Sequence, residues 1–406
     1  MFAPSLNFVR FFVACGRLQP ARQLQSAARM TNGVGHISLL VCALALPACR
    51  SSSLTNGTQP ITCPSAHGAT LLASWKGNVD AMLSDDDNLY WLDKFWGTVS
   101  FVPVAGGSVT TLATFPTLWS GPCGQPGFSV DCLQASIAAD DANIYAAGPL
   151  GIYTVPKAGG TPRAIMTYDG KSAYMFGPIV IAGGALYWQE ADIVTEDGEL
   201  TENVRILQLS APASTSAAPL PFPSDGEAVS SSAILTSDGS NLYWMGSGDG
   251  NGDAGIRTAP LAGGAATTFY ASDTLAVENM TFAGGKLVWA NQQIEGGPAG
   301  GAPFPTQSPN ELVQALAASG GTPASLMTFP QNTDPGVTVL GDAHFAYAAV
   351  FDFDAGTSAI MAAKLTGGAA KTVINVPDLA MATLDSCNLY YFTSDQTIEK
   401  IGKPSP

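Results

Sequence analysis

Seven times between residues 88 and 391 the chain returns to one short pattern, an aromatic or apolar strand entered through a small or polar residue. The copies read NLYW (88–91), NIYA (143–146), ALYW (185–188), NLYW (241–244), KLVW (286–289), HFAY (344–347) and NLYY (388–391). Measured at the third residue of each, the steps are 55, 42, 56, 45, 58 and 44 residues. A unit of this length that holds several short strands cannot bury its own apolar face. It needs neighbours, so the chain must fold as a propeller or a solenoid.

Each unit divides into four strands. In the first they are AMLSD, NLYWLD, TVSFVPVA and VTTLAT, with period-2 alternation and many β-branched and aromatic residues. The breaks DDDN, DDAN, DGSN and DSCN join first to second strands, and the Gly pairs of VAGGS, KAGGT, LAGGA, ASGGT and TGGAA close the last hairpin of their units. Both are hairpin chemistry, in which Asn and Gly are expected to supply positive φ. Gly (44) and Pro (28) are abundant, as turn-rich β proteins require, and 66–403 holds no convincing amphipathic helix, which excludes a βαβ design.

The ends of the array choose between the two architectures. The seventh unit stops after TIEKIG, one strand short, while HGATLLAS (67–74) upstream of the first unit resembles an orphan fourth strand. A solenoid would need caps; a ring borrows the missing strand from the other terminus and leaves no open edge. The expectation is an all-β, seven-bladed β-propeller over 66–403, closed by an N-terminal strand.

Residues 1–48 are different in kind. Arg10, Arg17, Arg22 and Arg29 stand there without any Asp or Glu, ahead of the apolar run ISLLVCALAL (37–46). That run is too short for a membrane span and reads as a signal peptide region. Leu46-Pro47-Ala48-Cys49 follows and resembles a bacterial lipobox, with Pro47 departing from the usual small residue. The resemblance implies lipidation of Cys49, a tether over 49–65, export, and a place at the bacterial cell envelope as an outer-membrane or cell-surface lipoprotein. Without residues 1–48 the chain keeps 17 − 4 = 13 basic residues against 32 acidic, a net charge of −19. Such a chain does not bind nucleic acid, and it meets a membrane only through its anchor.

Export fits the cysteines. Cys63, Cys123, Cys132 and Cys387 remain after processing and lipidation, and four cysteines allow three pairings. The ring chooses among them: Cys63 leads into the closing strand and Cys387 lies in the blade it completes, so these two should pair. Cys123 and Cys132 flank one loop and should pair with each other.

The YW…GG repeats are similar to those of bacterial lipoprotein β-propellers and, more distantly, of the YWTD and NHL propeller groups. The resemblance implies the fold; such rings serve as binding modules, scaffolds and a few lyases. Connections between second and third strands, and from one blade to the next, share a face and hold nearly all the long insertions: 115–134, 189–204, 246–255 and 291–311. Loops on a rigid ring are where binding concentrates, and Trp119, Phe128, Glu196, Asp197 and Glu199 are the candidate ligand-facing residues. Asp249, Asn251 and Asp253 resemble the start of a calcium loop, although Ala254 stands where such loops have Gly and no distal acid follows. A GxGxxG at Gly250, Gly252 and Gly255 has no helix after it and does not signal a dinucleotide.

Catalytic motifs are sparse. His67 and His344 are the only histidines after residue 48, and there is no HExxH, GxSxG, CxxC or Walker pattern. The reading is a monomeric binding protein without a cofactor, calcium aside, whose loop-rich face meets a protein or glycan. The alternative is a propeller lyase or hydrolase that uses carboxylates and a divalent cation near the central channel.

Overall fold

The computed structural model describes residues 63, 68–93, 97–115, 135–169, 172–196, 199–210, 212, 220–221, 234–246, 254–272, 275–293, 311–329, 333–352 and 354–406. The chain divides into two compact units, 1–59 and 60–406, and the fold below is that of the second. The described residues form seven four-stranded antiparallel sheets and no helix. From the axis outward, blade 1 runs Ala81–Ser84, Asn88–Asp93, Thr98–Pro103 and Thr110–Thr114. Blades 2 to 6 repeat the plan, and their innermost strands begin at Ser136, Ala173, Leu235, Leu275 and Thr333. Blade 7 has Leu379–Leu384, Asn388–Thr393 and Thr397–Gly402 from the C-terminal end of the chain. Its outer strand is Thr70–Ser74, antiparallel to Thr397–Gly402. Innermost strands touch their neighbours all the way round, including Ala81–Ser84 against Leu379–Leu384. The chain is a seven-bladed β-propeller closed by its N-terminal strand.

Period-2 alternation explains why the ring is solid. Along Asn88–Asp93, Leu89 and Trp91 pack against blade 7, while Tyr90 and Leu92 pack against blade 2. Each second strand therefore serves two seams, and the core falls into seven clusters, one per seam. Trp91, Trp188 and Trp289 are fully buried in three of them. At about 25 cal/mol per Å² and roughly 200 Å² each, such a side chain contributes on the order of 5 kcal/mol of transfer free energy. Six of the third-to-outer strand pairs carry a β-bulge, which twists the outer strand away from a flat, pairable edge.

One face of the ring carries the short turns. In five blades an aspartate opens the first-to-second turn and clamps it. In blade 4, Asp238 Oδ1 accepts the backbone N–H groups of Ser240 (2.7 Å) and Asn241 (2.6 Å), and Oδ2 accepts the Tyr243 hydroxyl (2.8 Å). Asp140–Tyr145, Asp342–Tyr347 and Asp385–Tyr390 repeat this clamp, and Asp85 holds the corresponding turn in blade 1. Positive φ in these turns comes from Asp86 (70°) and Gly239 (83°). The asparagines instead open the second strand in extended conformation, because the carboxylate already satisfies the turn. Blades 3 and 5 use a two-residue Gly-Gly turn, and Gly183 and Gly184 (φ 56° and 76°) adopt the doubly left-handed form that suits a tight hairpin.

Candidate functional site

The opposite face is built from the ends of the second strands. Their sixth residues are Asp93, Gly148, Glu190, Gly246, Asn291, Val350 and Thr393. Asp93 and Asn291 are fully buried and Glu190 is 2% exposed, so blades 1, 3 and 5 bury a carboxylate or amide where blades 2 and 4 have glycine. The pattern was present in the sequence as Trp-x-Asp, Trp-x-Glu and Trp-x-Asn, at Trp91, Trp188 and Trp289, spaced 188 − 91 = 97 and 289 − 188 = 101 residues. It accompanies the alternation of long and short steps between blades.

Burial of the two carboxylates has identifiable support, whereas the Asn291 amide has no hydrogen-bond partner among the described residues. The Trp75 indole follows the closing strand and donates to Asp93 Oδ2 at 3.3 Å. In blade 3 the Trp188 indole donates to the Tyr168 hydroxyl at 2.8 Å, and Tyr168 stands in the place of Trp75, directly after the preceding blade's outer strand. Arg205 pairs with Glu190, directly opposite on the third strand, and its Nη1 lies 2.9 Å from Asp192 Oδ2. Burial pushes the Tyr168 phenol well above its ordinary value, and the Glu190 charge adds to the rise. Burial alone would lower the Arg205 guanidinium, but the hydrogen bond and charge of Glu190 raise it, so it stays ionised. A buried carboxylate held by a guanidinium in this way is a fixed structural joint.

That joint sits at the root of the most unusual element of the face. Residues 189–204 are expected from the sequence as a connection, yet the structure continues the strands: Ala185–Glu196 pairs residue for residue with Glu199–Ser210, out to Glu196 opposite Glu199. The corresponding strands of blade 1 end at Asp93 and Thr98. Six further residues at about 3.3 Å each carry this hairpin roughly 20 Å beyond the level where blade 1 turns. The innermost strand supports it only as far as Ala173 opposite Asp192. Tyr174 and Phe176 belong to that inner strand, and Tyr174 is buried.

Of the candidate site residues, Glu196 and Glu199 are register partners at the end of the paired strands, and Asp197 lies outside the described residues. Trp119, Phe128, the calcium-loop residues Asp249, Asn251 and Asp253, the Cys123–Cys132 pair and Cys49 also lie outside them. Cys63 and Cys387 are joined by a disulfide with Cα atoms 5.2 Å apart. His344 lies in the short turn of blade 6, away from the carboxylates of the loop face. Among the described residues no three His, Cys, Asp or Glu side chains gather as a metal site.

No protein-family model matches the chain, and no curated protein matches it in sequence. Its fold is similar to that of virginiamycin B lyase from Staphylococcus aureus, at 14% identity over 83% of this chain and 99% of that one, with a TM-score of 0.51. Hydrazine synthase from Kuenenia stuttgartiensis matches at 12% identity, 82% and 98% coverage and a TM-score of 0.52. YCF48, in a structure with a D1 peptide bound, matches at 11% identity, 86% and 100% coverage and a TM-score of 0.50. These likenesses concern the ring, and such rings carry unrelated activities.

Proposed function

We propose that this chain is an exported binding protein, anchored through Cys49 at the bacterial cell envelope, which meets a protein partner on its loop face through the blade 3 hairpin. The observation that carries the reading is the unbroken pairing out to Glu196 and Glu199 on a root fixed by Glu190 and Arg205. A ribbon with paired backbone loses less conformational entropy on binding than an open loop, which is what a recognition element needs. Beyond the acids paired with Arg205, residues 193–204 contain four acidic residues and no basic one, so the ribbon complements a basic surface.

The test compares the intact chain with a variant in which residues 193–202 are replaced by a two-residue turn between Asp192 and Asn203. Both are crosslinked in native cell envelopes, and the captured protein is then titrated against each purified chain. The reading requires a partner whose affinity falls at least tenfold on shortening, with Tm unchanged within about 2 °C. Equal affinity for both chains rejects it.

A further inference from the structure

Closing the ring with an N-terminal strand has a structural consequence on the turn face. In blades 1, 2, 4, 5 and 6 the third and outer strands are joined there by a Gly-Gly turn. Blade 7 takes its outer strand from Thr70–Ser74, so its third strand runs out into Lys403–Pro406 and the turn is missing. A notch of about 490 Å³ remains between blade 7 and the intact turn of blade 6. Its apolar lining includes Phe345, Ala362, Val373 and Ile401, and Lys364 and Lys371 also line it.

Blade 6 departs from the repeat at this place. The first residue of the second strand pairs with the last of the third as Asn88–Pro103, Asn143–Pro156 and Asn241–Pro260 in blades 1, 2 and 4. In blade 6 that pair is Phe345–Lys364, with the Lys364 ammonium 5.9 Å from the Phe345 ring centre. Four other lysines of the described ring are committed. Lys157 pairs with Asp85 at 2.8 Å, Lys403 pairs with Asp342 at 2.9 Å, and Lys286 and Lys400 donate to the Leu365 and Val104 carbonyls. Lys364 and Lys371 are exposed and have no carboxylate partner among the described residues. On a chain of net charge −15, two ammonium groups beside an apolar hollow make it a local attraction for an anionic head group.

We infer that this notch binds an amphipathic monocarboxylate, with its apolar body against Phe345, Val373 and Ile401 and its carboxylate between Lys364 and Lys371. The hollow falls within the size range of small-ligand pockets, apolar walls with a few convergent charges being their usual make-up. It lies on the face opposite the hairpin and is independent of the reading given for that face.

The experiment is calorimetric titration of the full exported chain with decanoate, decanol and decyltrimethylammonium, which share a body and differ in head charge. Decanoate should bind at least tenfold tighter than decanol, with no measurable binding of the cation. Lys364→Gln with Lys371→Gln should remove the preference for decanoate without shifting Tm, and each single variant should remove part of it. The hairpin-shortened chain should bind decanoate as the intact chain does. Absence of decanoate binding, equal binding of decanoate and decanol, or a preference that survives the double substitution overturns the proposal.

Discussion

The two faces of this ring are built on opposite plans. On the turn face one local device recurs in five blades, an aspartate that clamps a four-residue turn, and the other two blades substitute a Gly-Gly turn. On the loop face the turns differ from blade to blade, and the ends of the second strands carry buried polar groups in alternate blades only. Repetition on one side fixes geometry, and the proposed function places recognition on the other, where the repeat departs from itself. Substitutions on the turn face should therefore cost stability, and those beyond the strand ends of the loop face should cost binding.

The largest expected effect lies at the closure. The disulfide joins residues 324 positions apart in sequence and so restricts nearly the whole propeller chain when it is unfolded. In the chain-entropy model a loop of that size is worth about 6 kcal/mol. Cys387→Ser, unfolded in urea beside the oxidised parent, should lose about that much without changing the native hydrogen-bonded ring. A loss under about 1 kcal/mol would mean that Leu72 and Ala73, buried in the seam with blade 1, already hold the closing strand in the unfolded ensemble.

A smaller effect is expected at a single clamp. Asp238→Ala leaves two backbone donors and the Tyr243 hydroxyl without their acceptor, which costs about 1–3 kcal/mol. The comparison between faces sharpens if the hairpin-shortened chain, assayed alongside, changes by less than about 0.5 kcal/mol, as surface substitutions outside such networks usually do. If the hairpin costs as much as the clamp, it is part of the scaffold and the contrast fails.

How much of this was legible follows the same division. Ring, blade count and closing strand could be read because the turn face is written locally and repeatedly: Asp238 and Tyr243 are five residues apart, and so are Asp140 and Tyr145. Even there the mechanism was misassigned to asparagine φ angles, since the sequence does not show which acceptor satisfies a turn. The hairpin was hidden by its acids, which suit a connection between strands, although Ile193, Val194, Thr195 and Thr201 are β-branched strand formers. Glu190 could not be recognised as buried, because its support comes from Arg205 fifteen residues on and from Tyr168 in the preceding blade's connection.

The smallest effect is a pH dependence at the turn-face clamp. Burial alone would raise the Asp238 carboxyl, but hydrogen bonds from Asn241, the Ser240 amide and Tyr243 outweigh it and hold it below its ordinary value. Burial, with the bond to Asp238, pushes the Tyr243 phenol up to about 12. A lowered acid stabilises fully above its unfolded value near 4, and loses that contribution as pH falls through the folded value. A raised phenol stabilises fully below its unfolded value near 10, and loses that contribution as pH climbs toward 12. The stability difference between the parent and Asp238→Ala should therefore be flat from about pH 5 to 9 and shrink at both ends. Denaturation curves across that range check it. A difference that stays constant down to pH 3 would mean the carboxylate is not what holds the turn, and the contrast between the faces would rest on the glycine turns alone.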